Sequence, residues 1–127
     1  MAKIDYERYT LPDIEMYAGN TDVWEFALYD FKGIRMKCED AVLFEYQLVI
    51  KDYGYTHRQN GATYFSLTKP GEVVIDDEDE FANAQFVFAK EDTVDRFGKF
   101  TYQIEAFADG NYYTAQGNLY ILKNINQ

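Results

Sequence analysis

The hairpin that decides the fold lies at residues 98–122, which read GKFTYQIEAFADGNYYTAQGNLYIL. Apolar and polar residues alternate in its first half, as in a strand with one face in a protein core. That apolar face carries Phe100, Tyr102, Ile104 and Ala106. The Asp109-Gly110 pair is a strong signal for a two-residue hairpin turn, and residues 112–116 supply the returning strand. Gly117 then interrupts this strand as a bulge or an edge kink.

The same alternation recurs upstream. In residues 22–30 the alternation places Trp24, Phe26 and Leu28 on one face. In residues 42–51 one face carries Phe44, Tyr46, Leu48 and Ile50, and in residues 85–90 one face carries Phe86 and Phe88. Turn signals such as Lys69-Pro70-Gly71 separate the strands, and no window shows a sustained helical period. The pattern predicts an all-β fold, an immunoglobulin-like antiparallel β-sandwich of seven to eight strands. We expect residues 21–127 to form this domain and residues 1–20 to form an N-terminal arm or an edge strand.

The composition excludes several classes of protein. A chain of 127 residues has room for one domain, and a hydrophobic content of 47% is too high for global disorder. The single Cys38 excludes an intrachain disulfide and a cysteine-based metal cluster. No apolar run is long enough to span a membrane, and residues 1–10 are too charged for a signal peptide. A net charge of −10 disfavours direct binding to nucleic-acid phosphates.

The residues needed for nucleophilic catalysis are scarce and scattered. The chain has one histidine, His57, one cysteine, Cys38, and one serine, Ser66. They fall in separate predicted elements, whereas a catalytic triad needs its members within hydrogen-bond reach of one another. We therefore expect a protein that is not an enzyme, with no cofactor and no metal required for activity.

Acidic residues are concentrated between residues 72 and 95, most densely in the run DDEDE at residues 76–80. Clustered carboxylates are ligands for Ca²⁺, but the spacing does not fit a calcium-binding loop and no glycine follows the run. A solvated loop that keeps the protein soluble fits this pattern better. The third interpretation is a docking surface for a basic patch on a partner.

Tyrosine is unusually frequent, with 12 residues in the chain. Tyrosines in loops serve either as stacking platforms for sugars or as contacts between proteins, where tyrosine is enriched. We favour protein contacts, and the predicted interface residues are Tyr6, Tyr9, Tyr53, Tyr55, Tyr112 and Tyr113.

The C-terminal half resembles a known pattern. Residues 86–93 read FVFAKEDT, a strand that leads to an acidic turn ending in Asp-Thr, and residues 97–104 read FGKFTYQI. The Asp109-Gly110 hairpin and the closing strand GNLYI at residues 117–121 complete the pattern. Together they resemble the immunoglobulin-like domain of tailed-phage virion proteins, similar to the N-terminal domain of baseplate upper proteins.

This resemblance implies a non-enzymatic structural protein of a phage virion. The expected role is a tail or baseplate adaptor, or a capsid decoration or fibre-anchoring subunit, made in the host cytoplasm and located in the virion. Its expected partners are other virion structural proteins, and it is either a homo-oligomer or part of a symmetric assembly, through edge-strand pairing or burial of aromatic surface. The residues leave two alternatives open, a carbohydrate-binding β-sandwich module and an acidic inhibitor that mimics DNA.

Overall fold

A computed structural model describes residues 3–4, 10–30, 32–52, 66–75, 80–108 and 110–123. The elements, in chain order, are β1 (Lys3–Ile4), β2 (Ile14–Tyr17), β3 (Asp22–Ala27), α1 (Cys38–Ala41), β4 (Glu45–Asp52), β5 (Ser66–Pro70), β6 (Glu72–Ile75), β7 (Ala82–Phe88), α2 (Lys90–Thr93), β8 (Gly98–Ala108) and β9 (Asn111–Leu122). Both helices are single turns. Among the described residues no helix has the length and apolar character needed to cross a membrane.

The strands form two sheets. One has the order β1-β3-β7-β6 and the other the order β2-β9-β8-β4-β5. All pairs are antiparallel except β1 with β3 and β2 with β9, which are parallel. This strand order matches that of immunoglobulin-like domains, in which the chain alternates between two facing sheets. The predicted all-β sandwich is therefore confirmed, and β1, with two residues, is the shortest of its strands.

The core lies between the sheets and is built from the faces that the alternation predicts. Trp24, Phe26, Leu28, Tyr46, Leu48, Ile50, Phe86, Phe88, Phe100, Tyr102 and Ile104 are all buried. The centre of the Trp24 ring lies 4.5 Å from the centre of the Phe88 ring and 5.7 Å from that of the Tyr102 ring. Aromatic side chains of both sheets therefore pack together in the core. Each fully buried side chain of this size stabilises the fold by roughly 1.5–3 kcal/mol.

The predicted interruption at Gly117 is wrong. Strand β9 is continuous, with Gly117 directly opposite Tyr102. The residue is glycine because the segment before β2 passes close to it: a Cβ atom at position 117 would lie 2.8 Å from the carbonyl oxygen of Leu11. The same segment is tied to β9 and β8, because the Leu11 N–H donates to the Gln116 carbonyl and the Tyr102 hydroxyl donates to the Pro12 carbonyl.

The start of the second predicted strand is also shifted. We predicted a strand over residues 42–51, but β4 begins at Glu45, since α1 and the turn after it occupy residues 38–44. Four residues are too few to show a helical period in the sequence.

Of residues 1–20, the structure describes 3–4 and 10–20. Leu11, Met16 and Ala18 are buried in the core, and β2 forms one edge of the five-stranded sheet. The division of the chain at residue 20 stays a prediction.

Candidate protein-binding site

Two large aliphatic side chains project into solvent where the chain leaves α1. Val42 is 62% exposed and Leu43 is 71% exposed. Their backbone is fixed, because the N–H groups of Val42, Leu43 and Phe44 all donate to carbonyls of α1. The Tyr46 hydroxyl donates to the Ala41 carbonyl and holds α1 against β4. Val42 and Leu43 are hereafter called the apolar tip.

Beside the apolar tip lies a groove of about 420 Å³. Its apolar lining comes from Phe44, Tyr46, Pro70, Gly71, Val73 and Phe107. A second hollow of about 360 Å³ shares Glu45 and Phe107 with the groove and includes Leu43 in its lining. Leu43 of the apolar tip, the second hollow and the groove therefore form one surface. Among the described residues that line the two hollows, Glu45 is the only carboxylate.

The groove exists because the chain changes sheets at Gly71. Strand β5 runs antiparallel to β4, with Ser66 opposite Lys51 at its start and Pro70 opposite Gln47 at its end. The chain then crosses to the other sheet, where β6 begins at Glu72. The first residues of β4 thus extend beyond the end of β5 and leave a notch. We predicted a turn at Lys69-Pro70-Gly71, but β5 continues through Pro70 and Gly71 alone makes the crossing.

Close packing fixes the crossing. The Gly71 N–H donates to the Tyr46 carbonyl at 2.8 Å. A Cβ atom at position 71 would lie 2.7 Å from Cε1 of the buried Phe86 and 3.0 Å from Cβ of Tyr46. Any side chain at this position would therefore displace Phe86 or Tyr46.

One wall of the groove is an edge strand. Strand β6 lies at the end of the four-stranded sheet and pairs with β7. Its side chains include three β-branched residues in succession, Val73, Val74 and Ile75, of which Ile75 is 61% exposed. An edge strand of this kind offers backbone N–H and C=O groups to an incoming strand.

A separate polar cluster lies on the outer face of the four-stranded sheet. Asn83, which is fully buried, donates to Glu25 at 2.7 Å and accepts a hydrogen bond from Arg35 at 2.8 Å. The Arg35 guanidinium also donates to the carbonyls of Leu28 and Ala82, and it lies 5.3 Å from the centre of the Phe81 ring. Because these groups satisfy one another, the cluster ties the loop after β3 to the sheet and is a structural feature.

Two of the three residues considered for catalysis are described, and they lie in different elements. Ser66 is exposed at the start of β5, whereas the Cys38 thiol in α1 lies 3.7 Å from the Phe81 carbonyl and donates to it. His57 lies outside the described residues. Within the described part of the chain no group of three His, Cys, Asp or Glu residues could hold a metal ion.

The acidic stretch is only partly described. Residues 76–79 lie outside the described residues, and the three interpretations of this run stay predictions. Downstream, the Asp92 carboxylate accepts a hydrogen bond from the Ala89 N–H and pairs with the Lys69 ammonium at 2.6 Å. Asp92 therefore caps α2 and connects it to β5.

The structure describes no side chain of the six predicted interface tyrosines. Tyr6, Tyr9, Tyr53 and Tyr55 lie outside the described residues, and for Tyr112 and Tyr113 only the backbone is described. Their backbones pair with Phe107 and Ala106, at the end of β8 that contributes Phe107 to the groove. These six residues stay a prediction.

Sequence reasoning missed the groove but contained a signal for the apolar tip. In the predicted strand over residues 42–51, the aliphatic Leu43 falls on the outward face, where polar residues are expected. No comparable signal indicates that Gly71, Val73 and Phe107 meet, because only the order of the strands brings them together.

The described residues thus define an immunoglobulin-like sandwich with an exposed apolar tip beside a groove and an edge strand. Comparison of the chain with protein-family models gives no match, and comparison with curated proteins also gives none.

Proposed function

We propose that this protein is a non-enzymatic binding subunit that uses the apolar tip and the adjoining groove to hold a neighbouring protein. The observation that carries the proposal is the exposure of Val42 and Leu43, at 62% and 71%, on a backbone fixed by hydrogen bonds. Exposed aliphatic groups beside an apolar hollow are typical of protein-binding surfaces. Rigid presentation lowers the entropy lost on binding.

The proposed setting is a phage virion. It is supported by the resemblance of residues 86–93, 97–104 and 117–121 to the immunoglobulin-like domain of virion proteins. The protein would then be an adaptor of the tail or baseplate, or a decoration or fibre-anchoring subunit of the capsid. Its partners would be other virion structural proteins, in a symmetric assembly. The carbohydrate-binding and DNA-mimic hypotheses stay predictions.

The experiment compares particles made with and without the protein. Particles that lack it are complemented with the wild-type chain, with Leu43→Asp or with Val87→Asp, and their composition is measured by mass spectrometry and negative-stain imaging. Val87 is a matched control, since it is 57% exposed on the outer face of β7, away from the groove. We expect wild type and Val87→Asp to be incorporated and Leu43→Asp to be lost. Unchanged composition and infectivity in the absence of the protein would contradict a virion role.

A further inference from the structure

The chemistry of the groove specifies its partner more closely. We infer that the groove and the β6 edge bind an extended segment of a different protein that carries both basic and aliphatic side chains. This inference rests on the proposed binding function and deepens it.

The aliphatic requirement follows from the lining. The groove is lined by Phe44, Tyr46, Phe107 and Val73, and the exposed Leu43 lines the second hollow that adjoins it. Burial of such surface releases about 25 cal/mol for each Å² removed from water, so aliphatic side chains of a partner gain most by entering here.

The basic requirement follows from the charges around the apolar tip. Glu39 and Asp40 precede it in α1, Glu45 follows it at the start of β4, and Glu72 begins β6; all four are exposed. Among the described residues these carboxylates take part in no ion pair. Lysine or arginine residues flanking the aliphatic positions of a partner would be attracted to them.

The extended conformation follows from β6. A strand added alongside β6 would satisfy the backbone groups at the edge of the four-stranded sheet. Val73 of β6 lines the groove and pairs with the buried Ala84 of β7. Every second side chain of the added strand would lie on the same side of the sheet as Val73. One bound segment could therefore use the edge and the groove together.

A second copy of this chain fits the surface poorly. The chain has a net charge of −10, and the surface that would have to be contacted is bordered by carboxylates. Two acidic surfaces repel each other, so the charge that favours a basic partner disfavours self-association through this site.

The test uses a display library of random 12-residue peptides selected on the immobilised full chain. Enriched peptides are then labelled, and their affinity is measured by fluorescence anisotropy at low and high salt. We expect enriched peptides to combine lysine or arginine with Val, Ile or Leu at alternate positions, and to bind several-fold more weakly at high salt because screening weakens the attraction. Enrichment of acidic or uncharged peptides, or no enrichment, would overturn the inference.

Two pairs of variants locate the binding. Leu43→Asp is compared with Val87→Asp, and Glu45→Lys with Glu15→Lys; Glu15 is exposed on β2, at the opposite edge of the five-stranded sheet from β5. We expect about a tenfold or greater loss of affinity for Leu43→Asp, a smaller loss for Glu45→Lys, and little change for the two controls. Equal losses in the groove and control variants would overturn the inference, provided that circular dichroism shows each variant to be folded.

Failure here is distinguishable from failure of the proposed function. If Leu43→Asp is lost from particles while the selected peptides are acidic or uncharged, the binding function stands and the partner chemistry is wrong. If particles are unchanged without the protein while basic aliphatic peptides bind at Leu43, the virion role is wrong and the partner chemistry stands.

Discussion

Tyr102, in strand β8, connects the core to the segment before β2. Its ring packs against Trp24 in the core, and its hydroxyl donates to the Pro12 carbonyl. Burial raises the pKa of this hydroxyl well above its usual value, and the neighbouring Asp13 carboxylate raises it further. A single side chain thus joins core packing to the position of the N-terminal segment.

Replacement of Tyr102 by phenylalanine keeps the ring and removes the hydrogen bond. We expect a loss of about 1 kcal/mol in the free energy of unfolding at neutral pH, measured by denaturant titration.

The same variant gives a pH signature. In the unfolded chain the Tyr102 hydroxyl loses its proton near its usual pKa of about 10, while in the folded protein it stays protonated to higher pH. The native state then binds more protons, so this stabilising contribution is complete below about pH 9 and is lost as the pH rises further. We expect the stability difference between wild type and Tyr102→Phe to shrink between about pH 9 and pH 11. A difference that stays constant over this range would show that the hydroxyl is not protected by the fold.

Asn83 is the second residue with a large expected effect. It is fully buried and joins Arg35 to Glu25. Leucine at this position would leave both charged groups without their amide partner, which costs roughly 1–3 kcal/mol. Thermal or denaturant unfolding of Asn83→Leu measures this cost.

Gln85→Leu is the matched control, because Gln85 lies on the same face of β7 and is half-buried. We expect it to change the stability by less than about 0.5 kcal/mol. If both variants lose the same stability, the loss comes from leucine on that face and the polar cluster contributes nothing specific.

At the scale of elements, the crossing from β5 to β6 carries the clearest packing constraint. Gly71→Ala would bring a methyl group to 2.7 Å from a ring atom of Phe86. Because Phe86 is completely buried, any shift of its ring disturbs the packing of the core, and we expect a loss of about 1–3 kcal/mol in the free energy of unfolding.

A double-mutant cycle identifies the cause of this loss. Phe86→Leu removes the ring atoms that the new methyl group would meet, so Gly71→Ala should cost less in the Phe86→Leu background than in the wild type. Equal costs in the two backgrounds would assign the effect of Gly71→Ala to the backbone instead of to the ring.

The strands that the sequence predicts well are those with one face in the core. Alternation locates β3, β4, β7 and β8, because burial of one face imposes a period of two on the sequence. It fails at α1, which is too short to show a period, and at Gly117. A glycine within a strand indicates either a break or a close approach of another segment, and only the position of Leu11 decides between them.

The candidate site is less predictable than the fold for a related reason. Leu43 is visible in the sequence as an aliphatic residue on an outward face. Its neighbours in the groove come from β4, β5, β6 and β8, and their meeting depends on the crossing at Gly71. Contacts between residues so far apart in the chain leave no local pattern.

At the scale of the whole molecule, the net charge of −10 determines how the protein behaves alone. Mutual repulsion keeps strongly charged chains apart in solution. We therefore expect light scattering coupled to size exclusion to give a mass near the 14.9 kDa of one chain at low salt, with assembly only on a partner. A discrete trimer, hexamer or larger ring would contradict this expectation and would indicate a self-assembling component.

The parallel pairing of β2 with β9 has a mechanical consequence. Four successive pairs, from Ile14 with Leu119 to Tyr17 with Leu122, are extended on one side by the bridge between Thr10 and Gln116. Suppose that the chain before Thr10 and the chain after Leu122 are pulled in opposite directions. Because β2 and β9 are parallel, the force then acts along both strands and loads all the hydrogen bonds between them at once, in shear. Such an arrangement resists stretching far better than one in which bonds are peeled apart singly. We expect single-molecule pulling in this direction to require a higher rupture force than pulling that separates β6 from β7 one hydrogen bond at a time.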